Sequence, residues 1–334
     1  MSVQGIGLDI GGANLKVATS PGLAMSRRFE LWKHPHQLAA ELANLGEQFT
    51  GSGLIGITMT GELCDCFPTK RDGVRYILAA VASVFPEQCT RVWSSAGSFV
   101  FLNEALAAPL AVASANWHAQ ATFVGRGQPA NTCLLIDTGS TTTDIIPIHN
   151  GKPVPRGLTD PERLKSKELV YTGVRRTPIC ALFNEGVAAE FFATTQDAYI
   201  LLGMIAENAS DKATSDGRAA TKTFAHSRLS RMLAGDSAIT LTEETLTLAR
   251  NTFAVQIKMI LGAVREVASR LPRPLETIVV SGSGEFLARA VAEQFAAGVD
   301  PPPNIVSLSE KLGPAISEAA CAYALSVLLA ENPP

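Results

Sequence analysis

The sequence predicts an α/β protein of two domains built on a duplicated β-hairpin, and three observations carry that prediction. The chain has 334 residues, and at roughly 100–200 residues per domain this makes two domains, each able to bury its own core. Apolar runs of strand length alternate with segments of helical spacing. A strand, an Asp, a glycine turn and a returning strand stand at the N-terminus, and the same pattern recurs from Thr132.

Val3 to Leu8 is an apolar run that ends at Asp9 and turns on Gly11 and Gly12, and Leu15 to Thr19 returns from it: strand, glycine turn, strand. Leu38, Leu42, Leu45 and Phe49 share one face of a helix. Leu54 to Met59 reads as a buried strand that runs into Thr60, Gly61 and Glu62. Tyr76 to Phe85 reads as helix, Arg91 to Trp93 as a short strand, and Asn103 to Phe123 as small-residue helix around Pro109. From Thr132, CLLIDTGSTTTDIIPI repeats the opening pattern, Asp137-Thr-Gly139-Ser140-Thr141 standing against Asp9-Ile-Gly11-Gly12-Ala13, with Asp144 and Lys16 each seven places after the Asp. Asp160 to about Arg270 reads as largely helical, best at Ala198 to Ile205, Arg218 to Leu233 and Glu243 to Arg270. The strand Thr277 to Val280 meets Ser281-Gly282-Ser283-Gly284 before a helix from Glu285. Pro301 to Pro303 mark a loop, and Pro314 starts a last apolar helix reaching about Leu329. Domain I is therefore placed at 1–128, with the C-terminal helix 314–334 packing back on it, and domain II at 129–313, with a helical insertion about 160–270.

Charged residues are 18% of the chain against roughly 25% in an average soluble protein, and hydrophobic residues are 46%. Lys and Arg number 28 and Asp and Glu 31, with no long block of one sign, so neither nucleic acid nor an anionic membrane is the expected partner. The longest apolar stretch, about 104–115, is too short to span a bilayer, and the N-terminus has no signal-peptide pattern; a cytoplasmic address is expected. Six scattered cysteines suit reduced thiols. Cys64-x-Cys66 alone lacks the second half of a zinc site, and His34 and His36 are the only other clustered ligand types.

A hairpin turn of glycine and small hydroxyl residues brings backbone amides close to a ligand, because no Cβ blocks the approach. Gly11, Gly12, Gly139, Ser140 and Thr141 thus suit phosphate oxygens, and two such hairpins could hold a di- or triphosphate from both sides. Asp9 and Asp137 would position Mg²⁺ largely through water. The turn Ser281 to Gly284 leads into a helix N-terminus able to meet an anion. The alternative for either hairpin alone is an ordinary turn.

Across nearly the whole chain this arrangement resembles the superfamily of actin, the sugar kinases and the heat-shock chaperone ATPases. The resemblance implies a two-domain actin-like ATPase (ribonuclease H-like) fold with a duplicated β-hairpin phosphate-loop core, Gly282 and Gly284 forming the adenosine motif. The first-loop pattern is Asp-x-Gly-Gly-Thr-x-x-Lys; here Lys16 is kept, but Ala13 replaces the Thr and Asn14 follows, which removes a hydroxyl from the cradle of an ATP γ-phosphate. Thr58-Met-Thr60-Gly61-Glu62-Leu-Cys-Asp65, Ala115-Asn116-Trp117-His118, Tyr171-Thr172-Gly173-Val-Arg175-Arg176-Thr177-Pro178 and Ser281 to Phe286 look more closely like the short hydantoinase/oxoprolinase-like proteins linked to tetrahydromethanopterin-dependent one-carbon metabolism. Archaeal members of that group resemble methanofuran synthases. The resemblance implies coupling of a furanylmethyl diphosphate to the phenol oxygen of a (γ-glutamyl)tyramine or tyrosine-like acceptor, with release of diphosphate.

Such a reaction needs amide donors, a divalent ion and fixed cations around the leaving group. Gly11, Gly12, Asn14, Gly139, Ser140, Thr141, Gly282 and Gly284 are the candidate phosphate-binding backbone, with Lys16, Arg175 and Arg176 as the cations. The alternative for the arginines is a solvated surface position. The phenol, with a pKa of about 10, needs a base; Glu62, Asp65 and Asp144 are the candidates, Glu62 having a helix first-turn role as its alternative. Trp117, His118 and Tyr199 are read as core rather than as stacking partners, and Asp197, Asp211 and Asp216 as solvent-exposed. The segment 160–235 is assigned to acceptor specificity. A homodimer is compatible with all of this. The competing functions are an ATP-dependent hydantoinase/oxoprolinase-like amidohydrolase or small-molecule kinase, and a nucleotide-dependent switch without turnover.

Overall fold

The computed structural model describes residues 5–20, 22–47, 53–128, 130–272 and 274–331; Val3, the end of the expected helix at Phe49 and the last three residues lie outside them. Two compact units result, unit 1 of Met1–Leu135, Ile146–Glu162 and Ser307–Pro334 and unit 2 of Ile136–Ile145 and Arg163–Val306. The division thus falls inside the second hairpin, where the sequence reading placed it at 128/129. The segment 146–162 groups with unit 1 because its turn packs on the preceding helix: the carbonyl of Gly151 lies where a Cβ on Gly125 would stand, and Asn150 N–H donates to the Asn131 carbonyl.

The first sheet contains β1 (Gly5–Ile10), β2 (Asn14–Thr19), β3 (Leu23–Arg28), β4 (Leu54–Met59), β5 (Thr90–Trp93) and β6 (Phe99–Phe101), in the order β3-β2-β1-β4-β5-β6. β1, β2 and β3 pair antiparallel, whereas β1, β4 and β5 run parallel. Its helices are α1 (Leu38–Gly46), α2 (Lys70–Val84), α3 (Leu102–Ala107) and α4 (Asn116–Arg126). The second sheet holds β7 (Thr132–Thr138), β8 (Thr143–His149), β9 (Lys152–Pro153), β10 (Leu169–Val170), β11 (Thr277–Ser281) and β12 (Asn304–Ser307), in the order β10-β8-β7-β11-β12 with β9 beside β8. Each sheet therefore has a hairpin at its centre, a third strand outside it, and a fourth and fifth strand on the other side. This is the ribonuclease H-like order occurring twice, and the fold class is the two-domain actin-like ATPase fold.

The remaining helices are α5 (Asp160–Lys165), α6 (Thr195–Leu201), α7 (Lys222–Met232), α8 (Thr242–Ala268), α9 (Glu285–Ala296), α10 (Leu308–Leu312), α11 (Pro314–Glu318) and α12 (Ala320–Glu331). The structure departs from the sequence expectation at two places. The final helix is two helices: Ala319 leaves helical geometry, and Lys16 Nζ donates to the Glu318 carbonyl at 2.7 Å where the first one ends. The stretch 160–270 is less helical than its apolar spacing suggests, since 202–221 is irregular. There the Asn208, Asp211 and Asp216 side chains accept from nearby backbone amides and stabilise turns instead. No described helix is long and apolar enough to cross a membrane.

The pleat of β1 positions the first hairpin. Successive side chains alternate between faces: Ile6, Leu8 and Ile10 enter the core made with Leu38, Leu42 and Leu45 of α1 and Val74, Ile77 and Leu78 of α2. Gly5 and Gly7 face the other way, onto α12. A Cβ on Gly5 would lie 2.2 Å from the Ser326 carbonyl oxygen, and one on Gly7 1.9 Å from that of Ala322. Helix and strand backbones touch directly, and Asp9 continues the same row past the glycines.

Gly7→Ala should therefore force α12 off the sheet. The expected loss is about 3 kcal/mol, the upper end of overpacking costs, because the obstacle is backbone rather than a movable side chain. Urea unfolding of the variant against the parent chain measures it.

Candidate functional site

In unit 1 the first hairpin is closed by Gly11 N–H donating to the Asn14 carbonyl at 3.0 Å. The amide of Gly11 is therefore used by the turn, and Asn14 takes part through its carbonyl. The chain beyond β3 wraps the tip, Leu31 N–H donating to the Gly12 carbonyl and Phe29 N–H to that of Ala13. From the other side comes the loop after β4: Thr60 N–H donates to the Ile10 carbonyl, and the Cys64 thiol sits where a Cβ on Gly12 would stand. Asp9 is buried and pairs in register with Lys16 across the hairpin. Lys16 is the cation of this loop, and the α11 carbonyl holds its ammonium.

The same loop carries Glu62 into the interior. Its side chain is 1% exposed, and α2 presses on its backbone through Gly73, where a Cβ would stand 2.3 Å from the Glu62 carbonyl oxygen. Ser114 Oγ lies 2.5 Å from Glu62 Oε1 and 2.9 Å from Asp160 Oδ2. Lys70 Nζ is 2.9 Å from Asp160 Oδ2 and 3.7 Å from Glu62 Oε1. Burial pushes the Glu62 carboxyl above its ordinary range, against the opposing pull of the Ser114 hydrogen bond and the Lys70 charge. Asp65, by contrast, is on an exposed loop.

In unit 2 the second hairpin closes identically, Gly139 N–H donating to the Thr142 carbonyl at 2.9 Å. Its tip is wrapped by residues 173–176. Val174 N–H donates to the Gly139 carbonyl, and Arg175 and Arg176 N–H both donate to that of Ser140. Gly173 permits this, since its Cβ would lie 2.5 Å from Thr141 N. The third glycine turn packs against the same hairpin: Gly284 N–H donates to the Thr138 carbonyl, Ser281 Oγ donates to Asp137 Oδ1, and Gly282 has φ +95°. A Cβ on Gly282 or Gly284 would overlap Thr138. These glycines thus have a packing reason of their own. The structure brings Asp137, Gly139 to Thr141, Gly173 to Arg176 and Ser281 to Gly284 together.

The 172–176 turn stands on a buried network that its sequence does not announce. Gln256 of α8 donates to Thr172 Oγ1 at 2.7 Å and to the Gly173 carbonyl at 3.0 Å, and Tyr199 OH donates to Gln256 Oε1. Thr195 Oγ1 also donates to the Gly173 carbonyl. Burial raises the Tyr199 phenol well above its ordinary value. Tyr199, Trp117 and His118 are core residues, as the packing reading expected.

Several carboxylates sit elsewhere than expected. Asp144 does not stand open as a base: Arg163, 1% exposed, donates to its Oδ1 at 2.7 Å. Asp197 and Asp211 are buried and Asp216 is half-buried, where all three were expected in solvent. Guanidiniums bring them in. Arg228 binds Asp197 and Asp216, and Arg175 binds Asp211, which also accepts from Gln196. Arg175 is therefore a half-buried arginine with a partner of its own, whereas Arg176 is exposed. The partners of Asp197 and Asp211 lie 31 and 36 residues away, beyond any local spacing pattern, whereas Asp216 is bound by Arg228 from 12 residues away and by Arg218 from two. Ser114, Lys70, Asp160, Arg163 and Gln256 carry no motif signal either.

Residues 54–309 match the hydantoinase/oxoprolinase family. A protein of Methanocaldococcus jannaschii named (4-{4-[2-(gamma-L-glutamylamino)ethyl]phenoxymethyl}furan-2-yl)methanamine synthase is 32% identical, the match covering 98% of this chain and 98% of its own length. A Methanococcus vannielii protein of the same name is 34% identical over 63% of this chain and 95% of its own. Among solved structures, nucleotide-free acetone carboxylase is similar in fold, with TM-score 0.50 and 13% identity over 89% of this chain and 46% of that one.

The buried Glu62 makes stability depend on pH in a defined direction. Its folded value lies above the ordinary 4.5, so the native state keeps a proton that the unfolded chain releases. The resulting stabilisation is complete below that ordinary value and is lost as pH rises through the folded value. Glu62→Gln removes this dependence. Unfolding curves recorded from pH 4 upward should show the parent chain losing stability relative to the variant as pH rises; a constant difference would place Glu62 in water.

Proposed function

Because this chain belongs to the hydantoinase/oxoprolinase family, and a relative matching 98% of it carries the name of a furanyl-methanamine synthase, we propose that it is a synthase of methanofuran-type cofactor biosynthesis. It joins a furanylmethyl diphosphate to the phenol oxygen of a (γ-glutamyl)tyramine or tyrosine-like acceptor and releases diphosphate. The near full-length match to the M. jannaschii synthase is the observation that carries this reading.

The chemistry is a C–O bond breaking toward diphosphate while a phenol oxygen attacks the same carbon. Negative charge gathers on the leaving phosphates, and preorganised donors stabilise it. With Gly11 and Gly139 closing their turns, the donors left at the tips are the amides of residues 12–13 and 140–141. Lys16 adds a cation to the first loop. Arg176, exposed beside Ser140 and Thr141, is the cation of the second, and Arg175 is oriented there by Asp211.

Mg²⁺ fits this donor set in one way. Among the described residues no three His, Cys, Asp or Glu side chains group to hold a metal. A divalent ion would be held by Asp9 or Asp137 together with phosphate oxygens and water, which suits an ion that gives up its hydration reluctantly. When bound it would neutralise the departing diphosphate. Of the three candidate bases, Asp144 is occupied by Arg163 and Asp65 lies on an exposed loop. Glu62 takes the phenol proton.

Incubation with a furanylmethyl diphosphate, Mg²⁺ and tyramine, tyrosine or their γ-glutamyl forms should yield an ether by mass spectrometry and one equivalent of diphosphate. ATP hydrolysis should be negligible, Ala13 lacking the hydroxyl of the usual first loop. Rapid ATP turnover without ether would favour the amidohydrolase or kinase alternative. Asp137→Asn should abolish Mg²⁺-dependent turnover, and Arg176→Ala should lower kcat/KM by about 10²-fold, as for loss of a charge-assisted contact made in the transition state. Steady-state kinetics on both variants, with circular dichroism to show that they fold, checks the assignment.

A further inference from the structure

The cluster around Glu62 contains one hydrogen fewer than its contacts require. A serine hydroxyl has a single proton to donate, yet Ser114 Oγ is within hydrogen-bond distance of two carboxyl oxygens, Glu62 Oε1 at 2.5 Å and Asp160 Oδ2 at 2.9 Å. With both carboxyls ionised, one of these contacts would set lone pair against lone pair. A second proton must therefore reside on one of the two acids. Lys70 decides which: its ammonium is 2.9 Å from Asp160 and 3.7 Å from Glu62, so Asp160 keeps its charge and Glu62 holds the proton. These are the charged groups facing Glu62, Lys70 from α2 and Asp160 from α5.

Two further features show that the arrangement is built. Lys70 is the first residue of α2, where a cation opposes the helix dipole; its two carboxyl neighbours offset that. Ser114 has φ +48°, a left-handed conformation that a residue with a Cβ adopts at a cost. That strained backbone brings its hydroxyl between the acids. The second oxygen of Glu62, Oε2, is buried and accepts no hydrogen bond among the described residues.

We propose that Glu62, Ser114 and Asp160 form a proton relay in which Glu62 is held as the neutral acid and Asp160, steadied by Lys70, is the terminal acceptor. The use of the relay rests on the synthase reading. The phenol O–H breaks as its proton bonds to Glu62 Oε2. The proton on Oε1 passes to Ser114 Oγ, and the hydroxyl proton of Ser114 passes to Asp160 Oδ2. Glu62 is neutral before and after, so no uncompensated charge is created at its buried position. Asp160, 18% exposed, returns the proton to water. Ser114 and Lys70 are positioning residues of this relay.

The test separates the proton placement from the reaction. Infrared difference spectra of the full chain against Glu62→Gln at pH 7 should contain the carbonyl stretch of a protonated carboxylic acid. Ser114→Gly keeps the backbone conformation and deletes the hydroxyl, so it should shift that band. The same variant should lower kcat by about 10²-fold with KM unchanged, within the range for lost proton transfer. Absence of the acid band in the parent chain overturns the proposal, as does Ser114→Gly that leaves both band and kcat unaltered. If the band is present and shifts but no ether forms, the synthase reading fails while the protonated Glu62 and its Ser114 contact stand.

Discussion

The carbonyl oxygens of Ala322 and Ser326 lie directly against Gly7 and Gly5 of the first strand, and unit 1 is organised around that approach. With no side chain between them, α12 sits closer to the sheet than an ordinary helix on a strand. The opposite face of β1 is free for the Ile, Leu and Val core beneath α1 and α2. The pleat then continues the glycine row into Asp9, so the carboxylate at the hairpin lies on the α12 side. Lys16, its register partner, ends on the last carbonyl of α11. The first hairpin takes its position from contacts at its base as well as from the chain that wraps its tip.

Both hairpins receive the same treatment from different sequences. In each, the loop after the fourth strand donates a backbone N–H to the end of the first strand, Thr60 to Ile10 in one and Gly284 to Thr138 in the other. The chain following the third strand then wraps the tip. The halves differ in what stands behind the loops. Unit 1 puts a buried acid with a Ser–Asp–Lys cluster there, and unit 2 an uncharged network of Gln256, Tyr199 and threonines. One set of contacts can hold a proton, whereas the other fixes a turn that ends in two arginines.

The backbone of this design was legible in the sequence wherever it depended on glycine spacing and strand-length apolar runs. Asp9 to Lys16 and Asp137 to Asp144 could be read as hairpins, and Thr60 to Glu62, Gly173 to Arg176 and Ser281 to Gly284 as turns, and that is how they fold. What side chains find after folding was not legible. Asp144 had nothing in its neighbourhood to announce Arg163, and Asp211 nothing to announce Arg175, because each pairing depends on how a loop returns. The irregular run 202–221 misled for a related reason: its Asn and Asp side chains compete with the helix for backbone amides, and hydrophobic periodicity does not register that competition. β6 and β10, three and two residues long, are too short to carry any period.

The contact between the first strand and the last helix also has a bearing on synthesis. Lys16 and the carbonyl it grips are 302 residues apart, and Gly5 and Gly7 meet their partners over a similar span. A nascent chain carries β1 with one face uncovered until the ribosome has added α12, about half a minute later at ordinary elongation rates of some 10 residues per second. Two glycines offer little apolar surface during that wait. The row that later admits the helix backbone is also a face with few side chains for a stray strand or a neighbouring polysome product to grasp.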